Sequence, residues 1–130
     1  MHLDGFLSYP SAVYTVPYGV MVPKEVGNLL LPVPVSGSHI GFSTLRMEPC
    51  WMAMGQAAGI ASALSIDGKV KVQNIDLSRL QDKLVDQKAT LMYFKDVDYT
   101  SPHFRMVQYL GLRGYLPEWT ARLQEPVDMA

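Results

Sequence analysis

The 130-residue sequence contains a single cysteine, Cys50, so no internal disulfide framework can support its fold. It also lacks any long run of like charge, because its 11 basic and 12 acidic side chains are interspersed. We therefore expect neither nucleic acid nor an anionic membrane as a partner. Three separated histidines and one thiol give no metal-ligand spacing, so we expect no metal site.

Long hydrophobic runs are also missing. The apolar stretch from 51 to 66 contains Gln56 and is too short to span a membrane, and MHLDGFLSYP at the start lacks the features of a signal peptide. We therefore expect a soluble chain, and the sequence leaves its compartment open. With 48% apolar residues, the chain can bury a core of the size found in one ordinary domain.

Two short β-branched or aliphatic runs, at residues 14–18 and 28–33, predict strands. Proline or glycine bounds each run, which favours the edge of a sheet. Pro32 and Pro34 cannot donate ladder hydrogen bonds, so we expect the second strand to stop early and lead into a polar loop over 35–41.

A long helix is predicted from Pro49 to about Ile66, ending at Asp67 and Gly68, with Gly68 in the left-handed cap position. The helix is rich in small residues: Gly55, Ala57, Ala58, Gly59, Ala61 and Ala63. Two interpretations stay open. The small side chains serve tight helix packing in a core, or the amino end of the helix faces an electron-rich part of a cofactor.

Two further helices complete the prediction. One begins after the N-cap Asp76, with Ile75 and Leu80 at the spacing of a hydrophobic staple and an apolar stripe of Leu77, Leu80, Leu84 and Val85. The other runs from Ser101 to Gly114 and buries Phe104, Val107, Leu110 and Tyr109. The fold class expected is α+β, dominated by about three helices, with short strands.

Residues 15–67 resemble the carboxyl-terminal end of the flavin-binding part of FAD-dependent oxidoreductases. The matching pieces are Pro-Tyr at 17–18, Val-Pro-Lys at 22–24, Asn-Leu-Leu at 28–30, Ser-x-Ser-His at 36–39, Arg-x-x-Pro at 46–49 and Gly-Gln-Ala-Ala-Gly at 55–59. In such enzymes the helix that follows Arg-x-x-Pro points its amino end at the N1–C2=O edge of the flavin, where donors and the helix dipole stabilise negative charge.

The resemblance implies site residues by position. The cofactor-binding candidates are Ser38, Arg46, Met47, Glu48 and Cys50. His39 is the catalytic candidate, as a proton donor or as a group that orients the ring, and its alternative role is that of a hydrogen-bonded surface residue. For Cys50 the alternatives are a reactive thiolate at a helix start and a small buried filler.

The sequence also departs from this pattern. Pro32-Val33-Pro34 replaces the usual Ala-Gly-Arg, Gly19 stands where arginine is common, and the ten glycines include no Gly-x-Gly-x-x-Gly. We therefore expect only the distal edge of a flavin site here, within a C-terminal portion of the enzyme. FAD would be bound in the parent protein, with an N-terminal remainder as partner, and would not be retained by this chain alone.

The second half carries two resemblances. Residues 71–91 resemble the helix that follows the flavin domain in the same oxidoreductases. Residues 93–128 resemble an S-layer-homology-like module, marked by Phe-Lys-Asp-Val at 94–97 and Arg-Leu-x-Glu-Pro at 122–126. Proteins with this order of parts are bacterial and are labelled FAD-dependent oxidoreductase or xanthan lyase.

These resemblances predict a division of the chain. Residues 1–66 would be the C-terminal portion of an FAD-binding domain, 67–75 a junction, and 76–130 a helical accessory module that is S-layer-homology-like from about 92. The main hypothesis is part of an oxidoreductase that is inactive in isolation. The alternatives are a module of an extracytoplasmic protein that acts on carbohydrate or a cell-wall polymer, and a structural fragment without activity.

Overall fold

The computed structural model of the protein describes residues 13–116, and every regular element in that range is helical. Four α-helices are joined by loops and by two 3-10 helices, Tyr18–Met21 and Val72–Asn74. The α-helices are α1 (His39–Leu45), α2 (Glu48–Gly68), α3 (Leu77–Asp86) and α4 (Phe104–Leu112). Helix α3 packs against the 21-residue α2, and α4 packs against α3.

The prediction of an α+β fold with short strands is wrong, since residues 13–116 contain no β-strand. The chain around the two expected strands does make cross-segment hydrogen bonds, from Leu31 N to Met21 O and from Ser36 N to Val20 O, both 2.8 Å. These bonds do not extend into a ladder, because prolines in both segments lack amide hydrogens and Tyr18–Met21 coils into a 3-10 helix. β-branched composition does not build a sheet without a continuous partner strand.

Helix α1 occupies part of the stretch expected to be a polar loop. The loop predicted over 35–41 ends at Ser38, whose side-chain oxygen accepts a hydrogen bond from Gly41 N at 3.1 Å and caps the helix. The loop prediction was therefore wrong from His39 onward. Gly and Ser favoured a loop by composition, but a serine at this position is also an N-cap signal.

The long helix α2 confirms the helix predicted from Pro49. It begins one residue earlier, at Glu48, and includes Gly68 within its last turn. The left-handed residue that ends it is Lys69, with φ of 50°, and not Gly68 as predicted. The helix extends this one residue further because Gly68 keeps helical angles and the Lys69 amide then donates to Ile66 O at 3.2 Å.

Helix α3 confirms the predicted N-cap. The Asp76 carboxylate accepts a hydrogen bond from Ser78 N at 2.9 Å, and the staple residues Ile75 and Leu80 are both buried in one cluster. Three residues of the predicted apolar stripe are buried: Leu80, Leu84 and Val85. Leu77 is 47% exposed, so its place in the stripe was wrong.

Helix α4 begins at Phe104 and not at Ser101. The Ser101 hydroxyl instead accepts a hydrogen bond from His103 N at 3.2 Å and holds a turn before the helix. Phe104 is buried as predicted, whereas Tyr109 is exposed. Gln108, which was not expected in the core, is fully buried.

One side of α2 joins two hydrophobic clusters. The first consists of Met21, Val35, Leu45, Met54 and Ala58, and the second of Ala61, Leu64, Ile75, Leu80 and Leu84. The amino half of α2 therefore packs on α1 and the preceding loops, and its carboxyl half packs on α3. Helix α2 is the central element of the described fold.

The segment predicted as a junction, residues 67–75, makes hydrogen bonds with the start of the described chain. Tyr18 OH donates to Val72 O at 2.9 Å, and Val72 N donates to Asn28 Oδ1 at 3.3 Å. Asn28 lies in the left-handed region with φ of 60°, and its backbone N–H donates a hydrogen bond to Gln73 Oε1 at 3.1 Å. The division of the chain into two subregions stays a prediction.

Two absences hold for residues 13–116. No helix in this range, α2 included, combines the length and the apolar character that crossing a bilayer requires. Nor do three His, Cys, Asp or Glu side chains within it gather in an arrangement that could hold a metal ion.

Candidate functional site

The candidate site is the turn between α1 and α2. Met47 is the extended N-cap of α2, and its side chain makes no capping hydrogen bond. Pro49 has no amide hydrogen, and Trp51 N already donates to Met47 O at 3.1 Å. The amides of Glu48 and Cys50 are therefore first-turn donors without an acceptor inside the helix. They coincide with the positive end of the α2 dipole.

The amino end of α2 opens to the surface. Met47 is 52% exposed, Glu48 and Pro49 are exposed, and Cys50 is half-buried. Within residues 13–116, therefore, apolar packing does not seal the residues of this first turn.

Opposite charges flank this turn. Arg46, the C-cap residue after α1, and Glu48, the first residue of α2, are both exposed, and within residues 13–116 neither forms an ion pair. An electron-rich group at the end of α2 would be attracted by Arg46 and by the helix dipole, and repelled by the Glu48 carboxylate.

Four of the six predicted site residues share this turn: Arg46, Met47, Glu48 and Cys50. Ser38 and His39 lie at the other end of α1, separated from the turn by the length of a seven-residue helix, about 10 Å. The Ser38 oxygen already caps α1, and His39 is exposed at the first helical position. The structure therefore divides the predicted residues between the two ends of α1.

Tyr14 is a neighbour of the site that the sequence did not indicate. Its hydroxyl donates to Thr44 O at 3.1 Å and lies 3.7 Å from Cys50 Sγ. Partial burial is the main cause that raises the pKa of Tyr14, and the adjacent Cys50 thiol raises it further. No local pattern could have found this contact, because Tyr14 and Cys50 are 36 residues apart.

Alkaline pH is expected to destabilise the fold through Tyr14 and Tyr18. Desolvation raises the pKa of Tyr18 above its ordinary 10.0, as burial does for Tyr14. The unfolded chain therefore loses its tyrosine protons first, and the free energy of unfolding falls as the pH rises above 10.0.

Tyr18→Phe tests this pH dependence. It removes the hydrogen bond to Val72 and is expected to lower the free energy of unfolding at neutral pH by about 1 kcal/mol. It should also weaken the alkaline decline, which urea titrations at neutral pH and above pH 10 would measure. Tyr99→Phe, at an exposed position, controls for the effect at neutral pH. An undiminished alkaline decline in Tyr18→Phe would contradict the assignment.

Trp51, in the turn of α2 that follows Cys50, has an unpaired side-chain donor. Its indole Nε1 is buried, and no group within residues 13–116 accepts a hydrogen bond from it. Buried N–H groups are almost always paired, so an orphaned donor in a native structure needs an explanation. The atom has no exposed surface within residues 13–116, so it is a feature of the packing behind the turn and does not face a ligand.

The small residues of α2 lie on two opposite sides. Ala58 and Ala61 are buried in the two hydrophobic clusters, which agrees with tight helix packing. Gly55 and Gly59 are exposed, and a Cβ added to either would meet no atom within 4 Å. Close packing inside the described chain therefore accounts for Ala58 and Ala61, and not for Gly55, Gly59 or the exposed Ala63.

A surface cavity of about 250 Å³ opens near the other end of α2. Its lining residues are Leu64, Gly68, Val70, Asn74, Ile75, Asp76 and Arg79. The Asp76 carboxylate is already occupied as the cap of α3. This cavity is remote from the candidate turn and does not contribute to it.

Comparison with known proteins assigns the family. A family model described as FAD dependent oxidoreductase matches residues 3–84, more than half of the chain. The chain belongs to this FAD dependent oxidoreductase family. No curated protein and no solved structure matches it.

The FAD dependent oxidoreductase match covers all six predicted site residues and ends within α3. Residues 85–130 lie beyond it, so neither the S-layer-homology-like module expected from about 92 nor the xanthan lyase label gains support from it. The motif at 122–126, one mark of that module, lies outside the described residues.

The family implies FAD, and the residues present fit one part of it. The first-turn amides of α2, which have no acceptor inside the helix, are donors of the kind that the electron-rich edge of an isoalloxazine ring accepts. The residues present do not fit the ADP half of FAD, because the 130 residues contain no Gly-x-Gly-x-x-Gly that could approach the pyrophosphate. The chain therefore has donors of the kind that a ring edge accepts, but no recognisable cradle for the dinucleotide.

Proposed function

We propose that this family member contributes the flavin-edge contact of an FAD-dependent oxidoreductase, with the amino end of α2 directed at the isoalloxazine ring. The observation that carries the proposal is the surface-exposed first turn of α2, where the amides of Glu48 and Cys50 have no acceptor inside the helix and lie at the positive end of its dipole. Family membership supports the choice of FAD over other electron-rich ligands.

The residues of the turn have distinct roles in this proposal. The amides of Glu48 and Cys50 donate hydrogen bonds to the ring edge, and the helix dipole stabilises negative charge there. Arg46 adds positive charge near the ring edge, and the negative Glu48 carboxylate partly cancels this charge. FAD, when bound, supplies the two-electron redox chemistry that amino-acid side chains lack.

Ser38 and His39 are assigned to the substrate side of the ring. His39 is exposed at the start of α1 and is available to donate a proton or to orient a bound group. The Ser38 oxygen accepts from Gly41 N, and its own hydroxyl hydrogen stays free to donate. Their separation from the α2 turn by the length of α1 suits contacts to different parts of one extended ligand.

The ADP half of FAD is held by an N-terminal remainder of the flavoprotein in this proposal. Residues 1–66 then form the C-terminal portion of the FAD-binding domain of a bacterial, extracytoplasmic parent. Residues 76–130 form the accessory helical module. No observation favours the xanthan lyase alternative or binding of a cell-wall polymer over flavin chemistry.

The 130-residue chain alone is expected not to retain FAD. The reason is the missing pyrophosphate cradle, since edge contacts alone hold only a small part of the cofactor. The purified chain should be colourless, and titration with it should leave flavin fluorescence unchanged. Binding of FAD in the micromolar range by this chain alone would contradict the expectation.

The site is tested in the longest gene product that contains this chain, purified with its flavin. Arg46→Gln removes the positive charge beside the turn and is expected to shift the flavin absorbance and to lower its midpoint potential, because the reduced ring carries negative charge. Lys95→Gln, an exposed cation outside the family match, is the control and should change neither. A colourless gene product that cleaves an acidic polysaccharide would overturn the proposal and favour the lyase.

A further inference from the structure

The turn between α1 and α2 is anchored on both sides by the first hydrophobic cluster. Leu45, before the turn, is buried in that cluster, and Cys50 and Trp51, after it, pack against the cluster. Residues 46–49 between them are all exposed, and within residues 13–116 no side chain among them makes a capping hydrogen bond or an ion pair. Because apolar packing is not directional, it does not by itself fix the angle of this turn.

Tyr14 supplies a directional contact across the turn. Its hydroxyl donates at 3.1 Å to Thr44 O, a carbonyl in the last turn of α1, where a helix has no donors of its own left. The same hydroxyl lies 3.7 Å from Cys50 Sγ, in the first turn of α2. One phenol therefore ties the end of α1 to the start of α2.

The chemistry of the phenol allows both contacts at once. Since its O–H is donated to Thr44 O, a lone pair on the Tyr14 oxygen is left to accept from the Cys50 S–H. Partial burial is the main cause that raises the pKa of Tyr14, so the phenol keeps its proton at neutral pH. Val16 packs against the first cluster and anchors the segment that carries Tyr14.

We infer that Tyr14 is a positioning residue of the flavin-edge site, whose hydroxyl fixes the turn between α1 and α2 so that the amides of Glu48 and Cys50 keep one direction. The inference rests on the proposed function, because this direction matters to activity only if the amides meet the ring. Donors stabilise charge on a ring best when they are oriented before it develops. Arg46 lies in the same turn, so its position also depends on the Tyr14 contact.

The reactivity of Cys50 tests the contact without flavin. Cys50 is the only thiol of the 130-residue chain, so its reaction with an aromatic disulfide reagent is followed directly. Tyr14→Phe keeps the ring and removes the hydroxyl, and it should raise the rate about fivefold, the factor that corresponds to one lost hydrogen bond. Tyr18→Phe is the matched control. It removes a hydrogen bond of 2.9 Å to Val72 O, away from the turn, and should leave the rate unchanged.

The flavin potential tests the positioning role, in the longest gene product that contains this chain. Tyr14→Phe should lower the midpoint potential by about 20 mV, because a fivefold weaker preference for the reduced ring converts at about 30 mV per tenfold for two electrons. Tyr18→Phe should leave the potential unchanged. Arg46→Gln should lower it less in the Tyr14→Phe background than in the original protein, because the two residues then act through one turn.

Four results would overturn the inference. The first is an unchanged Cys50 rate in Tyr14→Phe, whatever the flavin does. The second is a potential that Arg46→Gln lowers and Tyr14→Phe does not, which leaves the flavin-edge site standing without Tyr14. The third is an equal fall in Tyr18→Phe, because any loss of stability would then suffice. The fourth is a potential that neither Arg46→Gln nor Tyr14→Phe changes, in which case the proposed function fails as well.

Discussion

Replacing Gln108 with leucine is expected to lower the free energy of unfolding by about 3 kcal/mol. The Gln108 side chain is fully buried. Its Oε1 accepts hydrogen bonds from Leu91 N at 3.0 Å and Met92 N at 2.9 Å, and its Nε2 donates to Met92 O at 2.6 Å. Leucine has a similar volume but leaves three backbone groups unpaired, at about 1–3 kcal/mol for each buried one, and its added apolar burial offsets part of this loss.

Two variants make the Gln108 experiment specific when measured by chemical denaturation. Gln56→Leu removes one hydrogen bond between exposed side chains, to Gln87, and should change the free energy of unfolding by no more than about 0.5 kcal/mol. Gln108→Glu should regain stability at acidic pH, because a protonated carboxyl group can again donate to Met92 O. A Gln108→Leu protein as stable as the original would show that the three hydrogen bonds of Gln108 do not hold α4 to the preceding loop.

Ala61→Leu is expected to lower the free energy of unfolding by about 2–3 kcal/mol. Ala61 is 0% exposed and lies in the cluster that joins α2 to α3. The larger side chain has no space unless the helices separate, and separation would loosen contacts with neighbours such as Leu80 and Leu84.

The matched control for Ala61→Leu is Ala53→Leu. Ala53 is on the same helix but exposed, so its substitution should change the free energy of unfolding by no more than about 0.5 kcal/mol. Thermal or urea unfolding of both variants measures the difference. If both substitutions were tolerated equally, the crossing of α2 and α3 would be looser than the structure has it.

The candidate site was predictable where it depends on residues close together in sequence. Arg-x-x-Pro at a helix start located the turn that contains Arg46 to Cys50, because helix initiation is decided within one turn of the chain. Tyr14 was missed because only folding brings it 3.7 Å from Cys50 Sγ. The orphaned Nε1 of Trp51 was equally invisible, since burial without an acceptor is a property of the packed structure.

The burial of Gln108 was missed for a related reason. Glutamine is usually exposed, so a polarity pattern assigns it to the solvent side of α4. It is buried here because the backbone around Met92 presents two donors and one acceptor that a single amide side chain satisfies. That match exists only once the loop and α4 are packed together.

The sequence by itself determined the long helix α2, the Asp76 cap of α3 and the motifs that agree with the FAD dependent oxidoreductase family. These features depend on interactions within a few residues, which a linear pattern contains. Only the tertiary structure decided that the predicted strands do not form and which side of α2 is buried. Strand pairing and burial depend on partners far away in the chain, and their free energies exist only when those partners are in place.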